Sequence, residues 1–284
     1  MISRLTRLFA LIIICSFAAC NPGHASPHAW RIPDTVGVSI GGSGLMAPLG
    51  LGIKQESGAW SPVLLPNLDC WLRADLGITL SGGNVQTWAD QSGVGDSNRN
   101  VIGSSGTWPT INSANSAYNN QRTVHFTGSE VLISGTWSSA QALPETDWIA
   151  GNNNGAATNQ YYADGIVGNA RVISNHLLAQ GMELFNGTVL SGSQSEAAGT
   201  PLFFGAYFDS STSCKIYDSS TTALVTGSCG TTTGTRTGLT VGNGGAHTTG
   251  LVGDIAEVVI VGGAMSAGNM TNLLGYFRSR YGNL

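Results

Sequence analysis

Gly250-Leu251-Val252-Gly253-Asp254-Ile255-Ala256-Glu257-Val258-Val259-Ile260-Val261, followed after a short polar stretch by Asn272-Leu273-Leu274-Gly275-Tyr276-Phe277-Arg278-Ser279-Arg280-Tyr281-Gly282, decides the fold of this chain. The first segment alternates apolar and polar residues around a β-branched run, the pattern of a strand. The second carries apolar or aromatic residues at 273, 274, 277 and 281, the spacing of one helix face. A single closing helix after a long stretch of strand-and-turn sequence indicates an all-β domain.

The segments upstream agree. Lys215-Ile216-Tyr217-Asp218 and Leu224-Val225-Thr226-Gly227 read as two strands about the turn Ser219-Ser220-Thr221-Thr222. Cys214 and Cys229 then face each other near the mouth of that hairpin, either as a disulfide or as two buried thiols. Cys70 reads as a small core residue. Leu68–Ile78 and Val85–Gly93 flank the turn Gly82-Gly83-Asn84 and form an opening meander. Arg122–Gly128 alternates as another strand. Trp71, Trp88, Phe126 and Phe204 fall where alternation buries them.

Composition narrows the class. Only 10% of residues are charged, Gly numbers 40 of 284, Lys plus Arg total 12, and the net charge is −4. Disorder is excluded by a 42% hydrophobic content that includes seven Trp. Nucleic acid is not an expected partner, because binding it needs a basic face.

Arg4 and Arg7 precede an apolar run from Leu8 to Ala19, which reads as a secretory signal over 1–20. Phe17-Ala18-Ala19-Cys20 is similar to a lipobox, which makes Cys20 a lipidation site and a lipid anchor the one expected membrane contact. Gly23-His24-Ala25 is the competing site for ordinary cleavage. The protein is therefore expected to be exported, either membrane-anchored or secreted. Residues 21–61 are punctuated by Gly and Pro and read as a stalk, with the domain proper at 62–284.

CWLRADLGITLSGGNVQTWADQSG, QRTVHFTGSEVLIS and GLVGDIAEVVIVGGAMSAGNMTNLLGYFRSRYG occur in an order that resembles the laminin-G-like, concanavalin A-like jelly-roll domains of bacterial and phage surface proteins. The resemblance covers about residues 66–283 and is looser from about 140 to 200. It implies a two-sheet antiparallel β-sandwich with a short C-terminal helix. It also implies glycan binding, adhesion, or a structural role in a cell envelope or phage particle. Family members that hold calcium use an Asp and backbone carbonyls, which offers Asp209, followed by Ser210 and Ser211, as a metal ligand, the alternative being a plain turn, and no other cofactor is implied.

The same superfold hosts retaining glucanases with a Glu-x-Asp-x-x-Glu signature and a close carboxylate pair. Glu145, Glu183 and Glu196 read as isolated, and alternation over three residues sets Asp254 and Glu257 on opposite strand faces. His24, His28, His125, His176 and His247 are scattered without metal-ligand spacing. The expected activity is therefore binding without turnover. Tyr161, Tyr162 and Asp164 follow the Asn-rich run 152–154, with Arg171 and His176 beyond. Rings beside Asp, Asn and Arg suit sugar recognition, since a pyranose face stacks on an aromatic while amides and carboxylates take its hydroxyls. The alternative is a polar loop with two aromatics packed on the sandwich edge.

Overall fold

The computed structural model describes residues 59–103, 108–154, 160–166, 171–175, 181–192, 198–209, 213–230, 235–244 and 250–282. The signal, Cys20, most of the stalk and His176 lie outside the described residues.

Seventeen strands are described. The first seven are β1 (Leu68–Arg73), β2 (Ile78–Ser81), β3 (Asn84–Trp88), β4 (Val101–Gly103), β5 (Thr110–Asn115), β6 (Gln121–Thr127) and β7 (Leu132–Ser134). Then come β8 (Glu145–Asn153), β9 (Gln160–Asp164), β10 (Val172–Asn175), β11 (Met182–Phe185) and β12 (Val189–Ser191). The last are β13 (Leu202–Phe208), β14 (Cys214–Asp218), β15 (Ala223–Gly227), β16 (Thr240–Val241) and β17 (Val252–Gly262), and helix α1 (Ala267–Tyr281) closes the chain. The protein is thus mostly β with one C-terminal helix. Every described strand pairing is antiparallel, and the sheet curls nearly into a barrel.

Two series of strands make up this sheet. One runs β15–β14–β13–β8–β17, with β1 and β6 sharing the far edge of β17 and β5 beside β6. The other runs β2–β3–β4–β7–β16–β9–β10–β11–β12. Among the described residues they meet at the pair Asn84–Thr110. The β2–β3 turn has positive φ at Gly82 (59°) and Gly83 (89°), the two-residue geometry whose twist matches the flanking strands.

Inward-facing side chains of both series meet in one core. Leu72, Ile149, Phe204, Ile216 and Val258 from the first series pack with Val85, Trp88, Tyr162, Leu184 and Val241 from the second. The opposite face of the first series is covered by α1, which buries Met270, Leu273, Leu274, Phe277 and Tyr281 against Trp71, Trp148, Phe203 and Val259. Each large apolar side chain so buried contributes roughly 1.5–3 kcal/mol. Strand β17 is therefore buried on both faces over nine consecutive residues.

Two details depart from the sequence reading for identifiable reasons. The helix begins at Ala267, ahead of the apolar stripe, because the Ser266 hydroxyl caps it by accepting the Asn269 N–H at 3.2 Å. A bulge between Ile255 and Glu257 shifts the register, so Asp254 and Glu257 share one face of β17. Asp254 there accepts from the Thr123 hydroxyl at 3.0 Å and lies 3.2 Å from His125 Nδ1. Glu257 turns under the helix. In the β14–β15 hairpin, Cys214 and Cys229 are joined in a disulfide, with Cα atoms 5.8 Å apart, and Cys70 is a free, buried thiol.

Candidate functional site

Strand β8 reads Glu145-Thr146-Asp147-Trp148, and pleating sends these side chains alternately to the two faces of the first series. Glu145 and Asp147 face inward with Ile149. Thr146 and Trp148 face outward.

On the inner side, both carboxylates are buried and met by arginines. Arg236 places Nη1 2.7 Å from Glu145 and Nη2 2.9 Å from Asp147, and Arg171 pairs with the other Glu145 oxygen. The arginines are themselves anchored. Arg171 donates to the Gln141 carbonyl at 2.8 Å, and Arg236 donates to the Arg171 carbonyl at 3.0 Å. Burial pushes the Glu145 carboxyl up, while Arg236 and Arg171 pull it back. Burial alone would lower Arg236, but Asp147 and Glu145 more than reverse it. Glu145 is thus not isolated, as its sequence context suggested. Its Glu-x-Asp spacing to Asp147 does set two carboxylates on one strand face, but arginines occupy them. Nearby, Arg99 lies 2.8 Å from Asp69 and stacks 4.4 Å over Trp137.

Arg171, a sugar-recognition candidate in the sequence, is therefore a buried ion-pair partner. Tyr161 and Tyr162 are consecutive in β9 and point to opposite faces, so they form no joint platform. Tyr162 is fully buried, with its ring 4.6 Å from that of Phe204, and belongs to the core. Asp164 is also fully buried and accepts from the Gly165 N–H at 2.7 Å. Tyr161 is half-buried and packs across Gly244. Asp209 is half-buried at the end of β13, where it bonds the Tyr207 hydroxyl. No group of three or more His, Cys, Asp or Glu side chains suited to a metal ion occurs among the described residues.

Glu257 is the other buried carboxylate. It accepts from Trp71 Nε1 at 2.5 Å, from the Tyr281 hydroxyl at 2.5 Å and from the Tyr276 hydroxyl at 3.2 Å. Burial raises its pKa to about 7, although the Tyr281 and Trp71 hydrogen bonds favour the ionised form.

The outer face of the same strands holds a different arrangement. Thr146 pairs across with Tyr207, and Tyr207 with Lys215; in the next row Trp148 pairs with Gly205, and Gly205 with Tyr217. Gly205 is required there. A Cβ at that position would lie 2.6 Å from Trp148 Cε2, so its absence lets the indole cross β13 and stack on Tyr217 at 5.8 Å. Lys215 Nζ lies 5.5 Å from the Tyr207 ring centroid. Beside the start of α1, these strands leave a groove of about 270 Å³ lined by Thr146, Tyr207, Lys215, Tyr217, Thr221 and Met270 among others. Burial raises the Tyr217 and Tyr207 hydroxyls, with Asp209 adding to the latter, so both remain neutral hydrogen-bond donors near pH 7. Two phenol rings, threonine hydroxyls and one ammonium at the margin of a small groove can stack a sugar ring and bond its hydroxyls.

The sequence reading missed this groove. Its signal was the alternation Lys215-Ile216-Tyr217, which puts both polar-tipped side chains on one face. Tyr207 joins them only through the β13–β14 register. A wider depression of about 430 Å³ by Asn67, Asp69, Gln141 and Pro144 carries no aromatic ring.

No family model matches the chain, and no curated protein matches its sequence. Solved structures are similar to it in fold. Domain 4 of AbnA, a GH43 extracellular arabinanase from Geobacillus stearothermophilus solved with arabinotriose, is 12% identical with a TM-score of 0.52, covering 73% of this chain and 98% of that domain. An arabinofuranosidase complexed with arabinofuranosyl-α-1,2-xylobiose is 13% identical with a TM-score of 0.51, covering 68% of this chain and 50% of the other. The binding domain of botulinum neurotoxin DC, solved with rat synaptotagmin II, is 11% identical with a TM-score of 0.50, covering 74% and 52%. The chain thus spans about half the length of the latter two. At these identities the likeness is one of fold.

Proposed function

We propose that residues 62–284 form a non-catalytic carbohydrate-binding module whose sugar site is the groove at Tyr207, Lys215 and Tyr217. The observation that carries this reading is the paired rows Thr146–Tyr207–Lys215 and Trp148–Gly205–Tyr217, which hold a tyrosine pair on an indole-backed, rigid sheet face. Fold neighbours crystallised with arabinotriose and with an arabinofuranosyl xylobiose support a carbohydrate partner in general. The finer fold reading is a laminin-G-like sandwich in which the two strand series stack as two sheets, supported by the core they share. Binding without turnover is supported by the state of Glu145, Asp147 and Glu257, each buried and held by arginine or by hydroxyl and indole donors. Export, by lipidation at Cys20 or by secretion, is supported by the basic-then-apolar N-terminus and by the Cys214–Cys229 disulfide, which persists in oxidising compartments.

A shallow site with one or two stacked rings gives single-site dissociation constants of roughly micromolar to millimolar, raised by display of many copies. The test is a glycan array with the full chain, followed by titration of any hit against Tyr207→Ala. The expected result is about tenfold weaker binding and no release of reducing sugar. Unchanged affinity would place the site elsewhere, and sugar release would overturn the non-catalytic reading.

A further inference from the structure

The groove carries one charged group. Among the residues that line it, Lys215 is the sole ionisable side chain other than the two tyrosines, and the rest are threonine, alanine and methionine. Its ammonium lies beside the Tyr207 ring, and none of the ion pairs among the described residues includes it. Asp209 does not line the groove, and it takes the Tyr207 hydroxyl. Position 215 is set by the strand: Ile216 is locked in the core and Cys214 is held by its disulfide, so the lysine stem leaves β14 on the groove side. Elsewhere Arg171, Arg236, Arg99, Arg73 and Arg280 pair with carboxylates, and Arg278 donates to the Ser219 carbonyl. A lysine left without such a partner, beside aromatic rings and uncharged hydroxyls, is a place for an anion that also has a ring to stack.

We infer that the groove selects acidic sugars, with Lys215 taking the negative group of a carboxylated or sulfated saccharide while Tyr207 and Tyr217 hold its ring. The inference rests on the carbohydrate-binding reading of this groove and adds the charge class of its ligand. A lysine suits this role as a flexible point charge that accepts either a carboxylate or a sulfate ester, without demanding the planar two-pronged geometry of arginine.

The test uses the full chain on immobilised uronic-acid, sialylated and sulfated glycans, each beside its carboxyl-reduced or desulfated counterpart. The expected result is binding to acidic members at least about tenfold tighter than to their neutral counterparts, weakening as salt is raised. Lys215→Met brings the affinities for acidic and neutral members together, and Lys215→Arg restores most of the difference. The carboxylated and sulfated arms identify the anion. Equal binding to acidic and neutral members, unaffected by Lys215→Met, overturns the inference and leaves carbohydrate binding in place. Failure of every glycan to bind folded wild-type protein overturns both.

Discussion

The two faces of β8 put the same four residues to opposite uses. Inward, Glu145 and Asp147 are withdrawn from water and ion-paired with Arg171 and Arg236, which reach them from distant parts of the chain. Outward, Thr146 and Trp148 support a groove whose charge, Lys215, is left unmatched among the described residues. Charge that is buried must be paired, and pairing closes it to ligands. Charge at a groove margin keeps its water and can exchange that water for a ligand. The inner face, with its abundance of ionisable groups, resembles an active site in composition but contributes structure. The chemically plainer outer face holds the groove proposed as the sugar site.

Breaking the inner face carries the largest expected cost. Arg236→Met leaves Glu145 and Asp147 buried with one guanidinium between them, and removing one partner of a buried pair costs about 3–5 kcal/mol. Urea unfolding should show that loss, and a variant within about 1 kcal/mol of wild type would mean the carboxylates are neutral or solvated. The next effect is pH-linked and belongs to Glu257. Its folded pKa of about 7 exceeds the ordinary value of 4.5 that holds in the unfolded chain, so the folded state binds the extra proton. Its contribution is complete below about pH 4.5 and is lost as pH rises through about 7. At 1.36 kcal/mol per pKa unit, the change amounts to about 3 kcal/mol. Glu257→Gln should flatten that part of the stability–pH curve, and an unaltered slope would assign it to other groups.

These cases show what was legible in the sequence. The β-branched run ending at Val261 and the stripe 273, 274, 277, 281 identified the closing strand and helix, because burial imposes a period on composition. The bulge at Ala256 left no such trace. Both its neighbours are acceptable in a regular strand, so Asp254 and Glu257 seemed to lie on opposite faces. The Glu145–Arg236 pair joins residues ninety-one positions apart in numbering, and neither position has a local pattern that announces the other. Tyr161 and Tyr162 looked like a platform because they are adjacent, yet adjacency in a strand separates side chains. The aromatic groove depended on strand register, and register is a property of pairs of segments.

The outer face gives smaller effects that sharpen the contrast. Gly205→Ala places a Cβ against the Trp148 ring, and overpacking of this kind costs about 1–3 kcal/mol. The variant should also bind glycan less tightly, because a displaced indole no longer backs Tyr217. Loss of stability with affinity unchanged would show that the Trp148–Tyr217 stack does not shape the site.

The smallest effect on stability is expected at Tyr207. Its ring is only half-buried, its hydroxyl bonds Asp209 at the strand end, and its cross-strand neighbour Thr146 is held by its own bond to the Gly263 carbonyl. Cross-strand pairs contribute roughly 0.2–1 kcal/mol, so Tyr207→Ala should unfold within about 1 kcal/mol of wild type. The same truncation removes one of the two rings at the groove, so glycan affinity is expected to fall about tenfold. Stability and binding are therefore expected to separate at Tyr207 and to fall together at Gly205. If Tyr207→Ala instead costs as much stability as Gly205→Ala, the ring is a packing element of the outer face, and the division of β8 into a structural side and a binding side fails.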